Sequence, residues 1–278
     1  MNIGSLVRAC IVCAIALQSN GFAGPTITVG TQVGAAQRIS AERIDHKPWD
    51  VLLKKYVNDS GMVDYRAWKA NAADMNLLNQ YLLHLSSASF SGQTSEPVKL
   101  AYWINAYNVV TVYGILKEYP TTSIRNHTAK VFGYNIWQDL HLLVEGNPYS
   151  LDQMEHEVLR PLGEPRIHFA IVCASIGCPR LLNEAYLPER IDDQLTINAK
   201  AFFTDPTKFR SDVARNSIEL SPILDWYGGD FGKSMPEKLR RLAPYLPEGA
   251  QQLAQNGKAS VSFLGYDWNL NDQAKVRR

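Results

Sequence analysis

The chain has 278 residues, 46% hydrophobic and 20% charged, and its 28 basic and 27 acidic side chains leave a formal net charge of +1. That size and balance suit one globular domain with a good core. They argue against a nucleic acid or a charged membrane surface as partner, because phosphate binding needs a basic excess gathered on one face.

In chain order, residues 1–23 come first. Arg8 ends a short basic stretch, Ala9 to Leu17 are apolar, and Gly21-Phe22-Ala23 supplies a small-x-small pattern. This is the layout of a secretory signal peptide cut after Ala23, and its apolar run is too short for a transmembrane helix. An exported protein is expected, periplasmic if the source is Gram-negative, with no stable membrane insertion after cleavage. Cleavage removes Cys10 and Cys13 and leaves Cys173 and Cys178 in an oxidising compartment. Residues 24–45, rich in Gly, Thr and Ala, read as a loose lead-in. One domain is expected over 46–272, and 273–278 form a C-terminal tail.

Trp49, Leu52, Leu53 and Tyr56 recur at helical spacing, and Asn58-Asp59-Ser60-Gly61 stops that helix. Leu77, Leu78, Tyr81, Leu82 and Leu85 mark another. The strongest helix runs from Pro97 to Tyr119 and is apolar nearly all round, which places it in the core. Asn105 and Asn108 are its exceptions. Buried amides need partners, so they either tie loops to the core or line an active cleft.

His141 to Val144 predict a strand, and Glu145-Gly146-Asn147-Pro148 a tight turn. Ser150 begins a helix with Gln153 completing a capping box, and Arg160-Pro161 ends it. Ile167 to Cys173 reads as the next strand. Residues 188–203 form an amphipathic helix with Ile191, Leu195, Asn198 and Phe202 on one stripe. Ser221-Pro222 caps a short helix holding Leu224 to Tyr227, and Val261 and Phe263 alternate with serines in a last strand. The fold class expected is α+β: a single domain with helices packed on a small, mostly antiparallel sheet.

Chemistry concentrates between residues 152 and 178. A nucleophilic cysteine needs a base or positive field nearby, because the thiolate is the attacking species. On a strand, His168 and Cys173 would point to opposite faces roughly 16 Å apart. His156, on the preceding helix, is then the better base. Asp152 shares its helical face, whereas the adjacent Glu155 points away. Ala174 to Gly177 could supply backbone oxyanion donors. Two alternatives stand beside this reading: a Cys173–Cys178 disulfide closed by a turn at residues 175–177, or zinc held by the two cysteines with His156 and His168. A thiol redox protein is a weaker third, for want of Cys-x-x-Cys spacing. No cofactor is implied.

Several segments together resemble a family. They are residues 102–108 (Tyr-Trp-Ile-Asn-Ala-Tyr-Asn), 150–156 (Ser-Leu-Asp-Gln-Met-Glu-His), 168–179 (His-Phe-Ala-Ile-Val-Cys-Ala-Ser-Ile-Gly-Cys-Pro), 221–227 (Ser-Pro-Ile-Leu-Asp-Trp-Tyr) and 266–271 (Tyr-Asp-Trp-Asn-Leu-Asn). In this order they are similar to the domain-of-unknown-function 547 family, from about Trp49 to Asn271. The resemblance implies a fold of the papain-like class and a cysteine-hydrolase or peptidase-like site of Cys173, His156 and Glu155, with Glu155 raised above its rank on helix geometry. Peptides and amides are candidate substrates, and nothing in the sequence selects among them.

Overall fold

Trp49, Leu52, Leu53 and Tyr56 are buried along one face of α1 (Lys47–Tyr56). They pack with α2 (Tyr65–Ala70) and α3 (Ala72–Ser86), whose Leu78, Tyr81, Leu82 and Leu85 are also buried. At the centre is α4 (Glu96–Glu118), buried on nearly every side as its composition requires. This computed structural model describes residues 26–128 and 134–275; the signal-peptide reading of residues 1–23 and the end of the expected tail lie outside them.

Among the described residues three small sheets accompany the helices, so the fold is α+β. β1 (Ile27–Val29) pairs parallel with β4 (Leu140–Val144), which pairs antiparallel with β5 (Asn147–Ser150). β2 (Ile39–Ser40) runs parallel to β3 (Ala88–Ser89). β6 (Phe209–Asp212) is antiparallel to β7 (Ser217–Leu220), and β7 is parallel to β8 (Ser260–Phe263). Two mixed sheets and one two-stranded parallel sheet thus replace the single, mostly antiparallel sheet expected. The described part of the lead-in is not loose, since Ile27 registers with Leu140 and Ile39 with Ala88. Such pairings join segments far apart in sequence, and no local pattern marks them.

After β5, α5 (Leu151–Gln153) widens into a π-helical turn, Met154–Leu159, and then tightens into a 3₁₀ turn, Arg160–Leu162. Pro161 fits the first turn of that 3₁₀ segment, so the run ends at Gly163 in the left-handed conformation rather than at Arg160. The amphipathic α6 (Ile191–Thr204) buries Ile191, Leu195, Asn198 and Phe202. α7 (Ile223–Trp226), α8 (Gly228–Phe231), α9 (Met235–Leu242) and α10 (Glu248–Asn256) complete the described helices.

The buried apolar side chains of the described residues form two cores. The larger surrounds α4; the smaller gathers Phe169, Phe202, Phe203, Phe209 and Phe231 with α9 and α10. Residues 167–173 were expected to be a strand and are not. Pro165–Phe169 is a 3₁₀ turn, and residues 170–173 form no strand. The segment is a strut between the cores: Phe169 packs in the smaller, Ala170, Ile171 and Val172 in the larger. Side-chain amides do the work of a neighbouring strand. Asn108 Nδ2 donates to the Ala170 carbonyl at 3.0 Å, and its Oδ1 accepts the Val172 amide at 3.0 Å. Asn198 Nδ2 donates to the Phe169 carbonyl at 2.8 Å. An apolar run buried on both sides looks the same in sequence either way.

Candidate active site

At the seam between the two cores lies a cavity of about 230 Å³. Asp152, Glu155 and His156 reach it from the helical run after Ser150, and His168, Cys173 and Cys178 from the strut and the turn beyond it. Tyr227 and Trp226 enter from α7 and its C-terminal cap, and Tyr266 and Trp268 from the last segment. One cleft therefore collects all five residues singled out as catalytic candidates: Cys173, His156, Glu155, Asp152 and His168.

The sulfurs of Cys173 and Cys178 are joined in a disulfide, with Cα atoms 6.2 Å apart. Ala174, at φ 55, reverses the chain so that Cys178 returns to its partner; a left-handed conformation is uncommon for a residue with a Cβ. Cys173 is half-buried, whereas Cys178 is only 6% exposed. The Cys173 amide donates to Cys178 Sγ at 2.9 Å. The Tyr266 hydroxyl lies 3.2 Å from each sulfur and 2.9 Å from Ser175 Oγ. Burial pushes the Tyr266 phenol up to about 12, so it stays protonated as a donor. Of the proposed oxyanion amides, Ile176 and Gly177 are already spent on the carbonyls of Asn269 and Asp267, both at 2.8 Å.

The helical run opens with the expected capping box: Ser150 Oγ accepts the Gln153 amide and Gln153 Oε1 the Ser150 amide. Glu155 and His156 nevertheless both face the cleft. The reason is the π turn, whose wider winding departs from the α-helical angle between neighbours. Glu155 is 7% exposed and accepts from the Tyr107 hydroxyl at 3.4 Å and from Tyr227. Its burial raises it above the usual carboxylate range, against the pull of the Tyr227 hydrogen bond.

His156 is exposed, and its hydrogen-bond partner is a cation rather than the carboxylate expected. Arg160 Nη1 donates to His156 Nδ1 at 3.0 Å. With Nδ1 accepting, the neutral ring carries its proton on Nε2. Neither Glu155 nor Asp152 forms a hydrogen bond with it among the described residues.

His168 is paired differently. It is 2% exposed, and Nε2 lies 2.7 Å from Asp230 Oδ2 on α8. Asp230 also receives Arg160 Nε at 2.7 Å and Nη2 at 2.8 Å, a two-pronged contact. Those Arg160 bonds hold Asp230 near 2. Burial lowers His168, and Asp230 opposes that shift. Tyr227 stacks on the His168 ring at 4.3 Å. Because the chain turns at 165–169, the strand argument that separated His168 from Cys173 does not apply.

Asp230 was not among the sequence candidates. Its only local cue is an acidic residue after Gly228-Gly229 between two aromatics, Tyr227 and Phe231. Among the described residues no three of His, Cys, Asp or Glu converge as metal ligands, so the zinc arrangement is not formed.

Residues 91–203 match the model of the family described as Protein of unknown function, DUF547. The matched stretch contains the five candidates and Cys178; Asp230, Tyr227 and Tyr266 lie beyond it. No curated protein and no solved structure matches the chain.

Proposed function

We propose that this DUF547-bearing chain is an exported thiol-dependent hydrolase or acyl-transfer enzyme, related to the papain-like cysteine peptidases and held inactive while Cys173 is bonded to Cys178. The observation that carries this reading is the convergence, in one cleft, of the half-buried Cys173 sulfur with two imidazoles and two carboxylates. A dithiol that becomes oxidised to its own disulfide would release both cysteines as thiols. Cys173 Sγ then attacks a peptide or amide carbonyl carbon, an imidazole carries the thiol proton to the departing amine, and water hydrolyses the acyl-thiol to a carboxylate and the regenerated thiol. His156 and His168 compete for the proton transfer; Glu155 and Asp152 line the cleft with them, and Asp230 pairs with His168. The cavity is smaller than the roughly 300–1,000 Å³ of whole-ligand pockets, which suits the reacting end of a larger substrate.

A second reading, a non-catalytic binding domain stapled by the disulfide, is favoured by the burial of Cys178. The two part in one experiment: a broad screen of electrophilic activity probes on oxidised and reduced protein. Covalent labelling that requires both reduction and a native fold supports the enzyme. Labelling no faster than that of the unfolded chain supports the binding domain.

A further inference from the structure

The two imidazoles of the cleft differ in what their hydrogen bonds leave free. We propose that His168 takes the proton of Cys173 and that Asp230 is the positioning residue that makes it able to, an inference that rests on the thiol reading above. His168 gives its Nε2–H to Asp230 Oδ2 at 2.7 Å, so in the neutral ring Nδ1 is an unprotonated acceptor. Among the described residues Nδ1 has no hydrogen-bond partner, and the ring lines the same cleft as Cys173. His156 shows the reverse arrangement, because the Arg160 hydrogen bond occupies its Nδ1 and leaves Nε2 protonated.

Everything around His168 restricts its movement. Arg160 grips both oxygens of Asp230, and Tyr227 covers a face of the ring. The clamps of Asn198 on residue 169 and Asn108 on residues 170 and 172 set the chain between His168 and Cys173. Proton transfer from Cys173 S–H to Nδ1 leaves a thiolate and an imidazolium, with Asp230 still a carboxylate accepting from Nε2–H. The charged and titratable groups facing the pair are Asp230, Arg160, His156 and Tyr227 on one side, and Glu155, Asp152, Tyr107 and Tyr266 around the cleft. Arg160 and His156 oppose the imidazolium, but the Arg160 charge is already matched by Asp230 in direct contact.

The test uses the full chain reduced with a trialkylphosphine. The rate of iodoacetamide alkylation at Cys173, resolved by peptide mass spectrometry, is followed from about pH 4 to about pH 9. A midpoint well below the free-thiol value of about 8.5 is expected. Asp230→Asn and His168→Gln should each raise it by about one unit, Asp230→Glu should restore part of the shift, and His156→Gln should move it less than either. A wild-type midpoint near that of a free thiol would overturn the thiol reading and this inference together. A low midpoint moved by His156→Gln but not by Asp230→Asn or His168→Gln would overturn the inference alone. Because buried substitutions can disturb folding, an NMR titration of the His168 ring in the reduced wild type supplies a second readout. Carbamidomethylation of Cys173 should lower the His168 pKa by about one unit, and no change would contradict the assignment.

Discussion

Asn108 holds the chain on both sides of Ile171 with one carboxamide, and through that contact it sets where the strut delivers Cys173. Its side chain is 1% exposed, so Asn108→Ala leaves the Ala170 carbonyl and the Val172 amide without their partner in the interior. Each such loss costs about 1–3 kcal/mol. A destabilisation of about 2–6 kcal/mol in urea unfolding is expected, and a loss below about 1 kcal/mol would show that the clamp is dispensable. The sequence left the polar exceptions on α4 as either ties between loops and core or cleft residues, and Asn108 is a tie. Asn105 does the same, bonding both the carbonyl and the amide of Tyr186. The five candidates that line the cleft were singled out in sequence because they crowd into one stretch around the two cysteines. Asp230 was not, because it meets His168 only through tertiary packing.

At the scale of elements, the run that begins at Ser150 combines a readable start with an unreadable middle. Its capping box follows from two residue types at fixed spacing. Ser150→Ala should cost about 1 kcal/mol in thermal or urea unfolding and leave Cys173 alkylation in the reduced protein as it was. A large change in alkylation with little change in stability would place Ser150 in the site instead. The π turn has no comparable marker, yet it is what brings Glu155 and His156 to the same cleft. The strut at 165–173 defeated the sequence reading for a related reason. Hydrophobic periodicity reports that a segment is buried, but not whether its backbone bonds go to strands or to side-chain amides.

Across the whole molecule, two cores meet at the cleft, and buried histidines make their stability depend on pH. His46 is 6% exposed and its Nδ1 lies 2.6 Å from the Tyr81 hydroxyl. Burial, with the nearby His84 adding to it, lowers it to about 4 from the usual imidazole value of about 6.5. The unfolded chain therefore binds the extra proton more readily. The stabilisation from a neutral His46 is present above about pH 6.5 and is lost as pH falls towards 4, by at most about 3 kcal/mol. His168, also lowered by burial, acts in the same direction. The unfolding free energy should drop across that window, and His46→Gln should flatten the dependence. An unchanged slope in the variant would remove His46 as its source.

The measurement closest to the central claim is site-resolved labelling of the native protein with iodoacetamide at neutral pH, before and after reduction. The oxidised protein should take up no label at either cysteine. After reduction, Cys173 should be modified faster than Cys178, in keeping with its greater exposure in the cleft, and Cys178→Ser should leave Cys173 reactive. Preferential labelling of Cys178 with Cys173 inert would contradict the assignment of the nucleophile.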